Sequence, residues 1–194
     1  MVHDTQSLNK KRQDLSRWDE IWIFGYGSLI YKVDFPYLKK SPAFIDNWQR
    51  RFWQGSHDHR GTPDNPGRVL TLVEEENTCC YGMAYQVTVE EFEHLDHREK
   101  NGYLRFEIDM HLANGETKLG LVYIAPQENE AYLGPASEKE IAAHIFKSRG
   151  PSGENRDYVF KLAAALRAAN EIDEHVFQIE KHLIELASPF KYHS

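Results

Sequence analysis

The sequence predicts an α+β domain: a mostly antiparallel sheet, open or closed into a small barrel, with helices segregated around it. Three observations predict it. Short apolar or aromatic runs, bounded by Gly, Pro and Asn, fill residues 21–125. Asn114-Gly115 separates two of these runs, and that dipeptide is a strong two-residue hairpin turn. In the last third the apolar period lengthens to that of helices. The composition suits this class. Of 194 residues 41% are hydrophobic and 27% charged, as in ordinary soluble globular proteins. A chain of that length buries roughly 70% of its unfolded surface without disulfides.

Taken in order, residues 1–20 read as a flexible tail, and Lys10-Lys11-Arg12 as a solvated basic stretch. One domain is expected over 21–194, with no internal repeat. Ile21–Phe24 is a buried strand, broken at once by Gly25-Tyr26-Gly27-Ser28. Phe44–Gln54 reads as extended, and His57–Gly67 as a loop carrying Gly61, Pro63 and Pro66. Arg68–Val73 and Tyr81–Val87 are two further strands. Thr88 and Glu91 have capping-box spacing and open a short helix over Val89–Arg98. Leu104–Leu112 and Lys118–Ala125 flank the hairpin turn. Ser137 and Glu140 repeat the capping box, and that helix is expected to run to Gly150-Pro151, the start of a linker. A helix with Val159, Leu162, Ala163 and Leu166 on one face follows, then one with Val176, Ile179 and Leu183.

Several classes are excluded. No run of about 18 apolar residues exists, so no spanning helix and no membrane partner are expected. The start is polar with no apolar core, so a cytoplasmic protein is expected. A net charge of −7 and a pI near 5.8 argue against generic nucleic-acid binding. Cys79 and Cys80 are adjacent, too close for a useful disulfide, and read as reduced thiols.

Three segments carry candidate chemistry. Gly25-Tyr26-Gly27-Ser28 follows a buried strand; its freed N–H groups suit an anion or oxyanion, while the simpler reading is a plain tight turn. It is neither a dinucleotide fingerprint, since Ile30 stands where a third glycine belongs, nor a P-loop. Glu99 falls at the end of the short helix, where carbonyl ends disfavour a carboxylate and raise its pKa, which suits general acid–base work. An arbitrary Asp-His-Arg-Glu-Lys string is as readily a solvated charge run. His57-Asp58-His59 raises a metal hydrolase, but no further ligand follows at useful spacing, and a polar loop is favoured.

These segments together resemble the ChaC family of glutathione-specific γ-glutamylcyclotransferases. The matching strings are Trp22 to Ile30, Asp34-Phe35-Pro36-Tyr37, Arg50 to Ser56, Asp58 to Pro63 and Pro66 to Val73. Leu95-Asp96, Arg98-Glu99-Lys100, Gly102-Tyr103, Tyr132 to Ala136, Gly150 to Gly153, Asn155, Tyr158 and Leu162-Ala163 follow in order. The likeness covers everything from about Trp22 to the final helix. Where the family usually has a second glycine this chain has Asn101, a residue that tolerates the left-handed conformation.

The resemblance implies a γ-glutamylcyclotransferase-like fold and cleavage of glutathione to 5-oxoproline and cysteinylglycine. No cofactor and no metal enter that reaction. It also implies the roles. Glu99 is the catalytic acid–base, and the main chain of Ile23, Phe24, Gly25, Tyr26, Gly27 and Ser28 binds substrate. Tyr158 and Arg51 are further substrate-binding candidates, each equally readable as structural. A non-catalytic γ-glutamyl-peptide binding module on the same scaffold stays open at this point, as does the oligomeric state.

Overall fold

A computed structural model describes residues 5–99 and 102–188. Lys100 and Asn101 lie outside the described residues. The chain forms α1 (Gln6–Arg12), β1 (Ile21–Gly25), β2 (Lys39–Ser56), β3 (Gly67–Val87), α2 (Val89–Arg98), β4 (Leu104–Leu112) and β5 (Thr117–Ile124). It continues as α3 (Glu138–Phe146), β6 (Arg149–Gly150), β7 (Gly153–Glu154), α4 (Asn155–Ala168) and α5 (Glu174–Ala187). Among the described residues no helix is long and apolar enough to cross a membrane.

Where the sequence suggested one domain, two compact units form. One comprises Met1–Arg50 and Thr71–Tyr132, the other Arg51–Leu70 and Leu133–Ser194. β2 and β3 are long enough to run through both.

The first unit holds the closed barrel, in the order β1-β3-β2-β4-β5. β1 with β3, β2 with β4 and β4 with β5 pair antiparallel, and β1 meets β5 in parallel at Ile23↔Leu121, which closes the ring. β1 is buried on both faces, hence its continuous apolar run. Ile21, Ile23, Tyr85, Val87, Phe92, Leu95, Leu121 and Tyr123 form a core cluster between sheet and α2. The β4–β5 hairpin turns at Asn114-Gly115, with Gly115 at φ 89°. Residues 68–87, read from sequence as two strands, lie in the single strand β3. Glu74, Glu75 and Glu76 are exposed yet extended, and Asn77 N–H donates to Asn47 Oδ1 (3.0 Å) across the ribbon.

Residues 5–20 differ from the loose tail expected. Their helix α1 has no apolar face; it is held through Asn9, which is fully buried.

The second unit packs α3, α4 and α5 together through Ile141, Ile145, Leu162, Leu166, Val176, Ile179 and Leu183. Its α3 begins with the complete capping box of Ser137 and Glu140. That helix stops at Phe146, and the expected linker instead folds into the β6–β7 hairpin, with Gly153 at φ 107°. His175 joins α5 to strand β2: Phe52 N–H donates to its Nε2 (3.0 Å), and Nδ1 lies 3.2 Å from Glu138 Oε1. Burial pushes the imidazole below its ordinary pKa of 6.5, outweighing the lift from Glu138. A neutral ring is therefore part of the fold. A depressed histidine pKa gives stability that is complete above pH ~6.5 and is lost as pH falls toward the folded value. The thermal midpoint is expected to fall between pH 7.5 and 5 more steeply in the natural protein than in His175→Gln. Equal slopes would sink the assignment.

Candidate active site

The site begins where β1 runs out. Ile23 and Phe24 lie within the ladder, opposite Tyr85 and Ala84 of β3, and both side chains are in the core. Ile23 to Gly25 belong to the ladder, and the chain leaves the sheet after Gly25. At Gly25 a side chain would collide with Leu29, whose Cβ would lie 2.4 Å from the added carbon. Glycine here lets the loop fold back on its own strand.

A single 3₁₀ turn, Ser28–Ile30, follows. Ile30 N–H donates to Gly27 O (3.0 Å), and the N–H groups of Tyr31 and Lys32 donate to Ser28 O (3.1 and 2.8 Å). Such a turn satisfies its N–H groups only from the third residue on. Among the described residues no acceptor takes the N–H groups of Gly27, Ser28 or Leu29, nor the Ser28 hydroxyl. These are donors of the kind that grips an anion or a developing oxyanion.

Three latches hold this loop. Tyr85 donates its hydroxyl to Leu29 O (2.5 Å), and Tyr26 donates its own to Tyr123 O (2.6 Å). The third is the buried guanidinium of Arg50, which donates to Tyr26 O (2.8 Å) and to Tyr81 O, with Cys80 Sγ at 3.4 Å. The Tyr26 side chain is therefore spent on structure, and its carbonyl on Arg50. Arg50 was missed by sequence reasoning, which chose its neighbour Arg51. The signal that could have found it is strand alternation: in β2, Arg50, Phe52 and Gln54 share the buried face.

Glu99 caps the C-terminus of α2, its N–H donating to Leu95 O (2.9 Å). Thr88 starts that helix by accepting from Glu91 N–H. The Glu99 side chain is 30% exposed, with Arg98 Nε 3.8 Å from its Oε1. Arg98 is itself drawn to Asp34, on the segment that follows the glycine loop. Burial lifts the Tyr123 phenol far above its ordinary pKa, and the carboxylates of Asp96 and Glu99 add to this. The phenol therefore keeps its proton and donates it to Asp96 Oδ1 (2.5 Å). Tyr123 thus touches the loop through its carbonyl and feels Glu99 through its hydroxyl. One unit carries the half-dry carboxylate and the loop donors alike.

Arg51 and Tyr158 belong to the second unit. Tyr158 is half-buried, edge-on to Phe52 (5.8 Å between ring centroids), with the Arg60 guanidinium 5.7 Å from its ring. Arg51 is half-buried and acts electrostatically on Glu138 and His175. His57, Asp58 and His59 are exposed, and His59 Nδ1 lies 3.2 Å from Ser152 Oγ. Among the described residues no three His, Cys, Asp or Glu side chains are placed to hold a metal ion. Cys79 is exposed and Cys80 buried, and the two are thiols not joined in a disulfide.

Comparison with known proteins adds a context. Residues 21–186 match the family described as ChaC-like protein. The chain is 41% identical over 179 residues to "Glutathione-specific gamma-glutamylcyclotransferase 1" of Danio rerio, covering 87% of this chain and 91% of that protein. It is 43% identical over 180 residues to "Gamma-glutamylcyclotransferase 2-3" of Arabidopsis thaliana, covering 87% and 90%. A crystal structure of the yeast γ-glutamylcyclotransferase specific to glutathione superposes with a TM-score of 0.78 at 32% identity, covering 88% of this chain and all of that one.

Proposed function

The chain belongs to the ChaC-like protein family, and from this we infer that it is a glutathione-degrading γ-glutamylcyclotransferase in which Glu99 moves the proton. Its substrate is a small molecule, and its place of action the cytoplasm. The α-amine of the γ-glutamyl group attacks the γ-carbonyl carbon of the same molecule. The bond to the cysteine nitrogen breaks, giving 5-oxoproline and cysteinylglycine. Nucleophile and electrophile share one molecule, so much of the orientation entropy is spent before binding.

Proton traffic and charge remain. The amine, an ammonium at neutral pH, must lose a proton, and the leaving nitrogen must gain one. One carboxylate does both in turn: Glu99 accepts from the ammonium and returns the proton to the departing amine. The main-chain donors of Gly27, Ser28 and Leu29 face the negative groups, the γ-glutamyl carboxylate and the oxygen that gathers charge as the ring closes. The observation that carries this reading is the half-buried Glu99 carboxyl in one unit with a strand-end loop whose Gly27, Ser28 and Leu29 donors have no acceptor among the described residues.

The test incubates pure protein with glutathione and, separately, with simple γ-glutamyl amino acids. Release of 5-oxoproline from glutathione is expected. Saturable binding with no product would overturn the assignment in favour of a binding module.

A further inference from the structure

We propose that α1 is a positioning element for Glu99, acting through a buried polar relay of Asn9, Arg105 and Asp96. The inference rests on the reaction proposed above. α1 precedes the stretch shared with the ChaC-like family, which begins at residue 21.

Nothing apolar holds this helix; its only buried residue is Asn9. Asn9 uses every polar group it offers to β4 and the residue before it. Its Oδ1 accepts from Arg105 N–H (2.8 Å), its Nδ2 donates to Tyr103 O (3.1 Å), and its carbonyl accepts from the Arg105 guanidinium. Arg12 adds a bond from Nε to Arg105 O (2.6 Å) and stacks over Phe106, 4.4 Å from the ring centroid. α1 is thus bolted to one residue of β4.

Arg105 passes the constraint on. Its planar fork spans two directions at once. One arm holds the Asn9 carbonyl; the other lies 3.2 Å from Asp96 Oδ2 on α2, with the guanidinium over the Phe92 ring at 5.4 Å. Both side chains are almost fully buried, 2% and 3% exposed. A pair of charges so deeply buried contributes little net stability, because desolvation offsets attraction. It fixes geometry instead. Asp96 precedes Glu99 by three residues, so the two share a helix face. The second Asp96 oxygen accepts from Tyr123, whose carbonyl holds Tyr26. The relay therefore reaches the last turn of α2 and the glycine loop together. Helix ends fray unless something holds them, and Glu99 sits at one.

The test uses the full chain with Asn9→Ala and Arg105→Lys. The lysine keeps a charge facing Asp96 but cannot also reach the Asn9 carbonyl. Expected for Asn9→Ala are a kcat at least fivefold lower and a KM within twofold. Amide exchange at residues 95–99 rises at least tenfold, with α5 unchanged. Arg105→Lys falls between this variant and the natural protein. If both keep kcat within twofold and leave exchange at 95–99 unaltered, even at a lower melting temperature, α1 merely stabilises and the proposal fails. Should Asn9→Ala not fold, Arg105→Lys carries the test; failure of both makes α1 part of the core and also overturns it. A natural protein that releases no 5-oxoproline refutes the reaction instead, and the exchange measurement then decides the relay alone.

Discussion

Glu99→Gln is expected to lower kcat for 5-oxoproline release by roughly 10²–10⁴-fold, the usual worth of a positioned general acid–base. The amide matches the carboxylate in shape but cannot take the ammonium proton, so binding survives while ring closure stalls. Folding is expected to survive too. Glu99 is partly exposed, and its ion pair with Arg98 is long, at 3.8 Å, while Arg98 is shared with Asp34. Exposed pairs of this kind are worth about 0–1 kcal/mol. Steady-state kinetics beside a melting curve separate the two effects. A variant that folds and keeps more than a tenth of the natural kcat would remove Glu99 from the reaction.

Arg50→Met is expected to damage both the fold and the reaction. The guanidinium fills a buried site and satisfies the carbonyls of Tyr26 and Tyr81. Methionine replaces the volume but takes the guanidinium donors away from both carbonyls, and a buried acceptor that loses its partner costs about 1–3 kcal/mol. The bond to the Tyr26 carbonyl is also one of the three latches on the glycine loop. Released, the loop loses the aim of its N–H groups, and losing one oxyanion donor commonly costs about 10²–10³-fold in kcat. Arg50→Lys is expected to fall between the two, since one ammonium replaces a fork poorly. Arg51→Met, one position away on the other face of the strand, should leave the loop in place. Wild-type kcat/KM in a folded Arg50→Met protein would show that the loop needs no such support.

Local chemistry made some elements readable before any coordinates. Thr88 and Glu91 announced α2 within a residue at either end, and Asn114-Gly115 announced the β4–β5 hairpin. Elements stabilised by distant partners were not readable. Glu74 to Asn77 resembles a turn by composition, yet it is strand, because its backbone has a neighbour in β2 to pair with and its side chains need only water. α1 shows no apolar period because polar bonds to β4 dock it, and hydropathy cannot register those. The same holds at the site. Glu99 and the glycine loop stood out as residue types in a pattern. Arg50 did not, since a basic residue in a strand gives no sign of which carbonyls it will meet.

The parallel contact between β1 and β5 sets an order of events in the growing polypeptide. The most apolar strand leaves the ribosome early, yet both of its neighbours are encoded far downstream. Until translation passes Ile124, Ile21–Phe24 has no complete shelter, a situation that slows folding and invites aggregation. The bend that follows Gly25 can take its working shape only once that late strand arrives, so a truncated nascent chain has no competent catalyst to offer.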